Sequence, residues 1–237
     1  MTGALQAIVF DFDGVIADSE PLHLKAFQRT LDEEGLELTA DEYYARYLGY
    51  DDVGLFQALA GDRRIAMSGV AIDALVARKA ARLQELLHDG RVLFPGAVEF
   101  IRAAAAQVPI AIASGALRHE IVQIIDAAGV GPLFAAIVAA GDTPDSKPSP
   151  APYRLAFERL RHTCGRDLDP GRSVAIEDSR WGLESAQGAG LRCVGVTTSY
   201  PAEALQGAEL VVGGLKDLTL PALDRLVASD PHAQRSR

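Results

Sequence analysis

The amino-acid sequence predicts an α/β fold, a doubly wound parallel sheet that carries a helical insert after its first strand. The chain opens with the apolar run Ile8-Val9-Phe10, which is typical of a strand buried on both faces. From Val92 onward, strand and helix patterns alternate, and this alternation indicates parallel βαβ units with right-handed crossovers. Residues 16–91, which lie between these regions, show helical spacing only, as an insert would.

Composition is that of an ordinary globular protein and excludes several function classes. The 237 residues are 49% hydrophobic and 23% charged, enough for one large or two modest domains. A net charge of −9 argues against nucleic-acid binding, which requires a basic surface. No basic stretch precedes the short N-terminal apolar run, so we expect neither export nor membrane insertion. Only Cys164 and Cys193 occur, which favours a cytoplasmic setting. No feature marks an interface, and we expect a monomer.

The insert carries start and stop signals for four helices. They are predicted at 19–35, 39–49, 53–59 and 72–90. The first opens on Ser-Glu-Pro, with proline in the first turn, where its missing amide costs nothing. The second opens on a capping box that begins at Thr39. The fourth shows one continuous apolar face.

The region after Val92 supplies the other predicted strands and helices. Strands are predicted at 109–113, 137–140, 174–176, 193–196 and 210–212, and helices at 97–106, 120–128, 153–160 and around 183–186. Four prolines between 144 and 152 predict an irregular loop around Lys147. We divide the chain into a core (1–15 and 92–221), the insert (16–91) and a C-terminal tail (222–237) that is polar and frayed from Ser229.

Polar side chains that could carry chemistry follow the ends of predicted strands. They are Asp11 and Asp13, Ser114, Lys147 in its loop, and Glu177 with Asp178. Because the carboxyl ends of parallel strands share one edge of a sheet, we expect these groups to converge there. Two neighbouring carboxylates repel, so either a divalent cation shares them or one keeps its proton. An acidic turn without function is the alternative for Asp11 and Asp13.

Four motifs in this order resemble those of the haloacid dehalogenase-like hydrolase superfamily. They are Phe10-Asp11-Phe12-Asp13-Gly14-Val15, Ala113-Ser114-Gly115, Lys147-Pro148 and Ile176-Glu177-Asp178-Ser179. The resemblance covers about residues 5 to 213 and implies a Rossmann-like core. The insert resembles the four-helix cap of the branch that contains β-phosphoglucomutase, phosphoglycolate phosphatase and CbbY-like sugar phosphatases, and a cap of this kind closes over the site.

This resemblance implies a phosphatase that acts on a small phosphorylated metabolite, such as a sugar phosphate. Asp11 would attack phosphorus and form an aspartyl-phosphate. Asp13 would protonate the leaving alcohol and later take a proton from water. The phosphoryl oxygens would be held by Ser114, Gly115 and Lys147.

The cofactor implied by the resemblance is Mg²⁺. The Asp11 carboxylate, the Asp13 backbone carbonyl and the Asp178 carboxylate would bind it. Glu177 would be either a further ligand or a partner that orients the ligands.

Structural roles remain open for several of these residues. Ser114 could cap the following helix, and Glu177 or Asp178 could cap the next one. Lys147 could be a solvated loop lysine, although the neighbouring prolines favour a positioned role. Gly14 is expected to serve backbone geometry at the turn into the insert.

A sugar phosphomutase is the first alternative function. His23 lies where β-phosphoglucomutase carries a cap histidine, so it is a candidate substrate-binding residue, and a packing role is the other possibility. The mutase's basic and amide residues are replaced here by Leu48, Asp52, Leu117 and Arg118. Because a mutase must hold a second phosphate with cations, these replacements favour a phosphatase. Arg118 could bind the outer phosphate of a bisphosphate or be a solvated helix residue.

Other chemistries and a non-catalytic binding protein are the remaining alternatives. Dehalogenating members do not use the second aspartate in this way, and Asp13 therefore favours phosphate chemistry. The phosphonate-cleaving branch lacks an aspartate at position 13 and uses a cap lysine as a Schiff base. Neither Lys25 nor Lys79 has an evident reason to be desolvated. A pure binding protein would need no pair of Asp11 and Asp13.

Overall fold

The computed structural model describes residues 4–48, 50–87 and 92–229. These residues form a core unit (4–18 and 92–229) and a helical unit (19–48 and 50–87). The first segment of the core unit therefore ends at Asp18, whereas the sequence analysis ended it at residue 15. The other boundary, before Val92, is the one that the sequence analysis chose.

The helical unit contains the predicted helices with altered bounds. They are α1 (Glu20–Asp32), α2 (Ala40–Glu42), a π-helical turn (Tyr43–Tyr47), α3 (Asp52–Arg63) and α4 (Gly69–Leu87). Helix α4 packs against both α1 and α3. Thr39 caps the second predicted helix, because the Glu42 amide donates to Thr39 Oγ1 at 3.1 Å, which is one half of the predicted capping box. The Glu42 carboxylate pairs with Arg63. The helix that Thr39 opens changes to π hydrogen bonding at Tyr43. The predicted stops at Gly49 and Gly90 lie outside the described residues.

The core unit contains a parallel sheet of six strands. They are β1 (Ala7–Phe10), β2 (Ile110–Ala113), β3 (Phe134–Val138), β4 (Ser173–Glu177), β5 (Arg192–Val196) and β6 (Leu210–Val212). The spatial order is β3-β2-β1-β4-β5-β6, which confirms the predicted doubly wound fold. The order reverses direction at β1 and β4, and ligands of such sheets bind outside the carboxyl ends of the strands at that point.

Helices flank this sheet and complete its core. They are α5 (Ala97–Ala105), α6 (Arg118–Ala127), α7 (Ala151–Cys164), α8 (Arg180–Gly188) and α9 (Leu220–Ala228). Helix α7 packs against β2 and β3, and α8 packs against β4 and β5. Tyr153 and Phe157 of α7 belong to a buried cluster that includes Val9, Ala111 and Ala175 of three neighbouring strands. Burial of these apolar side chains stabilises the sheet, and the predicted polar site residues follow the carboxyl ends of its strands.

Helix α9 (Leu220–Ala228) occupies the first part of the C-terminal tail that was predicted for residues 222–237. Leu223, Leu226 and Val227 are buried, and α9 packs against β4. Its apolar residues recur every three or four positions, which is helical spacing, and their burial outweighs the polar character of the residues that follow. Residues 230–237 lie outside the described part of the chain.

Strands β2 and β5 differ from their predicted bounds by one residue, and β3 and β4 differ more. β3 begins at Phe134 because its pairing with β2 begins at Ile110, whereas the sequence pattern favoured residues 137–140. β4 includes Glu177, which pairs with Gly195 of β5. Within the described residues, none of the helices is long and apolar enough to cross a membrane.

Candidate active site

Four charged side chains meet at the carboxyl ends of β1 and β4. Asp11 follows β1, Glu177 ends β4, Asp178 comes next, and Lys147 lies in the loop before α7. The pairing of Phe10 with Ile176 brings the two strand ends side by side. Lys147 Nζ lies 2.8 Å from Asp11 Oδ1 and 2.6 Å from Glu177 Oε1. One ammonium therefore bridges two carboxylates that are 166 positions apart in the sequence (177 − 11).

Glu177 accepts hydrogen bonds on both carboxylate oxygens. Oε1 accepts from Lys147 and from the Tyr153 hydroxyl at 2.9 Å. Oε2 accepts from the amides of Asp178 and Ser179, each at 3.2 Å, and from Ser179 Oγ at 3.1 Å. A carboxylate offers about four lone-pair sites, so five donors saturate this one. Glu177 is fully buried and is held by protein groups on every side.

Two glycines provide the space in which the acidic side chains lie. A Cβ atom at Gly14 would lie 1.9 Å from Asp178 Oδ2, and the backbone there has a φ of +76°. Both facts require glycine, and the φ value agrees with the role in backbone geometry expected from the sequence. A Cβ atom at Gly182, near the start of α8, would lie 1.8 Å from Glu177 Cδ. Any larger residue at either position would displace a carboxylate of the cluster.

Burial and mutual repulsion change the acidity of the cluster. Burial raises the pKa of Asp11 well above its ordinary value, Glu177 adds to the rise, and Lys147 opposes it. Burial likewise raises the pKa of Asp178 to about 6, although a hydrogen bond from Ser199 lowers it. Burial would lower the pKa of Lys147, but its ion pairs with Asp11 and Glu177 raise the pKa above its usual value. The cluster therefore holds a stable ammonium and an excess of negative charge.

The donor set fits a hard divalent cation. One carboxylate oxygen from each of Asp11, Glu177 and Asp178 lies within 4.8 Å of the others, and all three residues are buried. Three acids face one ammonium in this cluster, so a further cation would offset the remaining charge. Mg²⁺ is typically held by one or two carboxylates plus water and substrate oxygens. Asp11 and Asp178 meet that requirement, since the oxygens of Glu177 are already engaged.

The other predicted site residues of the first two motifs lie on neighbouring strand ends. Asp13 is partly buried and forms a backbone bridge with Ala17. Ser114 follows β2, is 4% exposed, and accepts a hydrogen bond on Oγ from the Ala116 amide at 3.0 Å. The N-cap residue of α6 is Leu117, so the alternative in which Ser114 caps this helix is wrong. Gly115 is exposed, and a Cβ atom there would meet nothing within 4 Å.

Helix α8 is capped by a serine rather than by either acid before it. Ser179 Oγ accepts a hydrogen bond from the Gly182 amide at 3.1 Å. The alternative in which Glu177 or Asp178 caps this helix is therefore wrong. The same Ser179 hydroxyl donates to Glu177, so the cap also restrains the carboxylate.

Arg118 is engaged in a structural contact. Its guanidinium donates to the Ile137 carbonyl at 3.0 Å and to the Asp142 carboxylate. Arg159 donates to the same two groups, at 2.9 Å and 2.8 Å. The two arginines thus hold the end of β3, and the binding of an outer phosphate by Arg118 stays a prediction.

A second buried cluster lies in the helical unit and contains His23. Lys79 is 2% exposed, and its Nζ lies 2.7 Å from Asp52 Oδ1, 2.9 Å from His23 Nδ1 and 4.6 Å from the centroid of the Phe27 ring. The expectation that Lys79 has no reason to be desolvated is therefore wrong. Because an ammonium only donates, His23 Nδ1 accepts, and the proton of the neutral ring is on Nε2. Burial and the charge of Lys79 lower the pKa of His23 to about 3.

This environment argues against a Schiff-base role for Lys79. Such chemistry requires an amine nitrogen that is free to attack a carbonyl group. The Lys79 nitrogen instead pairs with Asp52, donates a hydrogen bond to His23 Nδ1 and lies over the Phe27 ring. The phosphonate-cleaving alternative therefore gains no support from the burial of Lys79.

Several residues that shape the core site were not predicted as site residues from the sequence. Tyr153 and Ser179 bind Glu177, Gly182 makes room for it, and Ser199 binds Asp178. Ser199 lies shortly after β5, so the rule that polar residues follow strand ends would have found it. Tyr153 carried no such signal, because an aromatic residue on the apolar face of a helix is typical of a core position.

Comparisons with known proteins agree with this fold. The family model of haloacid dehalogenase-like hydrolases matches residues 5–190. The chain is 34% identical over 210 residues to the protein CbbY of Rhodobacter capsulatus, covering 83% of this chain and 87% of that protein. It is 28% identical over 200 residues to a phosphorylated carbohydrates phosphatase of Thermotoga maritima, covering 82% and 87%. A crystal structure of a CbbY variant from Rhodobacter sphaeroides with xylulose-(1,5)bisphosphate has a TM-score of 0.77 and 29% identity, covering 93% and 99%.

Proposed function

The chain belongs to the haloacid dehalogenase-like hydrolase family, and on this premise we propose that it is a Mg²⁺-dependent phosphatase of a small phosphorylated sugar. The buried cluster of Asp11, Lys147, Glu177 and Asp178 at the switch point of the sheet carries the proposal. It combines a carboxylate, a fixed ammonium and a cation site in one crevice. Relatives that are named as phosphatases of phosphorylated carbohydrates support the substrate class.

Asp11 is the proposed nucleophile. Its carboxylate attacks phosphorus, the bond from phosphorus to the ester oxygen breaks, and an aspartyl-phosphate forms. Its side chain is 11% exposed, so it is largely shielded from water while the crevice still admits a ligand. Hydrolysis of the aspartyl-phosphate by water then releases inorganic phosphate and restores the carboxylate.

Asp13 is the proposed general acid and base. It gives its proton to the leaving alkoxide in the first step and accepts a proton from the attacking water in the second. The net proton count over the two steps is therefore zero, and Asp13 must begin the cycle protonated. Its side chain is partly buried beside the nucleophile's strand.

Lys147 and Ser114 are the proposed phosphoryl-binding residues. An ammonium has three N–H groups, and the bonds of Lys147 to Asp11 and Glu177 use two of them. The third can donate to a phosphoryl oxygen, where negative charge grows during transfer. The Ser114 hydroxyl accepts from a backbone amide through its oxygen, so its proton remains for a phosphoryl oxygen.

The carboxylates of Asp11 and Asp178, with the carbonyl of Asp13, would hold Mg²⁺. When bound, the ion offsets the charge of these carboxylates and of the phosphoryl group. Glu177 would support the site from behind through its contacts with Lys147 and Ser179. We further propose that the helical unit acts as a cap that selects substrates, with His23 as a substrate contact. A cytoplasmic setting and a monomeric state stay predictions.

A substrate panel tests the proposed function. Phosphate monoesters of sugars and sugar bisphosphates are incubated with the protein and Mg²⁺, and both free phosphate and isomerised ester are measured. We expect release of phosphate that chelation of the metal abolishes. Formation of isomer without phosphate would favour the phosphomutase, and no turnover of any ester would favour a binding protein.

Asp11→Asn tests the nucleophile. The substitution keeps the size of the side chain and removes the attacking charge, so turnover should fall by at least about 10³-fold while thermal unfolding shows an intact fold. Turnover retained within tenfold of the unmodified chain would exclude Asp11 as the nucleophile. Phosphate that stays bound to the unmodified chain after acid quenching, is released by hydroxylamine, and is absent from the variant would be direct support.

A further inference from the structure

Tyr153 is a fully buried residue that the proposed mechanism does not use. Its hydroxyl donates to Glu177 Oε1 at 2.9 Å. The Lys147 Nζ atom lies 5.1 Å from the centroid of its ring. One side chain of α7 therefore contacts both the ammonium of the site and the carboxylate that holds this ammonium.

The contacts of Glu177 explain why this hydroxyl matters. The Oε2 atom is restrained by two backbone amides and by Ser179 Oγ, all at the start of α8. Among the residues that the structure describes, the Oε1 atom has two donors, Tyr153 and Lys147. Without the tyrosine hydroxyl, the orientation of Oε1 would depend on the lysine alone. Lysine is a point charge on a flexible stem, and it orients a carboxylate poorly.

We propose that Tyr153 is a positioning residue that acts through Glu177 to hold the Lys147 ammonium against Asp11. The inference rests on the proposed function, because phosphoryl transfer is the reaction that reports the position of the ammonium. A shift of this charge affects the transition state more than the bound ester, since negative charge on the phosphoryl oxygens grows during transfer. Loss of the hydroxyl should therefore lower kcat more than it changes KM.

The helical unit offers a matched control. Tyr47 is 1% exposed, and its hydroxyl donates to Asp62 Oδ2 at 2.7 Å. The same Asp62 oxygen pairs with Arg46 at 2.6 Å. Tyr47→Phe thus removes the same atom from the same kind of tyrosine, carboxylate and cation contact, at a place without phosphoryl chemistry.

The experiment compares Tyr153→Phe with Tyr47→Phe on a turned-over ester. For Tyr153→Phe we expect kcat to fall between about fivefold and about a hundredfold, with KM changed by less than about threefold. Inhibition by orthovanadate, which mimics the transition state, should weaken by a factor similar to the loss in kcat/KM. The dissociation constant of Mg²⁺, measured by calorimetry without ester, should change by less than about threefold. Tyr47→Phe should leave all four quantities within twofold.

Each other outcome overturns the inference. A folded Tyr153→Phe variant with the kinetics of Tyr47→Phe excludes the positioning role, while activity of the unmodified chain preserves the proposed function. A fall in Mg²⁺ affinity parallel to the fall in kcat places the effect on the acidic cluster and not on Lys147. An unmodified chain that neither turns over an ester nor binds vanadate overturns both proposals.

Glu177→Gln keeps the inference testable if Tyr153→Phe unfolds. Glutamine retains the size of the side chain but presents one acceptor and one donor group, so it cannot hold Lys147 and Tyr153 as the carboxylate does. It should lower kcat and vanadate affinity together, as expected for Tyr153→Phe. Unchanged kcat in a folded Glu177→Gln variant would exclude positioning through this carboxylate.

Discussion

Lys79 of the helical unit is buried and the Lys147 side chain of the core unit is 15% exposed, but the main difference between their surroundings is in charge. Lys147 pairs with two carboxylates, and a third, Asp178, lies in the same cluster. Lys79 pairs with one carboxylate and one neutral imidazole. Each ammonium also lies near an aromatic ring, Tyr153 for Lys147 and Phe27 for Lys79. The two lysines therefore differ in the number of carboxylates that surround the ammonium, three for Lys147 and one for Lys79.

This difference in charge balance supports the proposal that the core cluster is the site of phosphoryl transfer. Around Lys79 one positive and one negative charge cancel, and the cluster is complete without a ligand. Around Lys147 three acids face one ammonium, so the cluster is complete only with a further cation or with protonated acids. A buried ionic group with surplus charge costs stability and is expected at functional sites.

Replacing each lysine by methionine gives the largest expected contrast. Lys147→Met should lower kcat by about 10²-fold to 10³-fold, the typical effect of removing one group that stabilises transition-state charge. Lys79→Met should lower kcat by less than about tenfold and instead reduce the free energy of unfolding by about 1 to 3 kcal/mol, because it leaves Asp52 and His23 without their donor. Steady-state kinetics and urea unfolding of both variants check this. If Lys79→Met lowered kcat as strongly as Lys147→Met, the inferred difference in role between the two lysines would be wrong.

Adding one methyl group tests how tightly the core cluster is packed. In Gly182→Ala the new Cβ would lie 1.8 Å from Glu177 Cδ, so the carboxylate must leave its donors. We expect a loss of about 1 to 3 kcal/mol in stability and a fall in kcat. Gly61→Ala in α3 is the matched control, because its Cβ would meet nothing within 4 Å. This control should gain about 0.5 to 1 kcal/mol, and an equal gain in Gly182→Ala would contradict the packing described for Glu177.

The pH dependence of stability should report on the cluster around Lys79. The pKa of His23 is lowered to about 3 in the folded chain from an ordinary value of 6.5. As the pH falls below about 6.5, the unfolded chain therefore binds a proton that the folded chain does not. The contribution of His23 to stability should decrease by up to about 1.4 kcal/mol per pH unit until its folded pKa is approached, whereas the raised pKa of Asp178 acts in the opposite direction below about pH 6.

His23→Gln should remove most of this slope. Its amide oxygen can still accept from Lys79, but it does not titrate. Urea unfolding at several pH values between 7 and 4 measures the slope, with His162→Gln as the control because His162 is exposed on α7. A slope that His162→Gln abolishes and His23→Gln preserves would contradict the neutral, buried state of His23.

Local pattern was sufficient to predict most of the fold and the meeting of Asp11, Lys147, Glu177 and Asp178 at the strand ends. The apolar run before Asp11 predicts a strand because its residues fit a sheet covered on both faces. Helical spacing predicted α1 and α4, whose bounds differ from the prediction by a few residues. Helix α9 was not predicted, because its short apolar face is followed by a polar end. The packing of this face against β4 is visible only in the tertiary structure. The change to π hydrogen bonding at Tyr43 carried no sequence signal.

By itself, the sequence predicted which side chains could carry chemistry, since Asp11, Asp13, Ser114, Lys147 and the pair Glu177-Asp178 follow strand ends or lie in a proline-rich loop. Tertiary structure alone decided what each of them contacts. Glu177 accepts from Lys147, 30 positions away, and His23 from Lys79, 56 positions away. The charge environment of a buried group is set by neighbours from distant elements, because Coulomb interactions and desolvation depend on distance in space. For this reason the placement of Lys147 near the strand-end acids was predictable from the sequence, whereas the contacts of Lys79 were not.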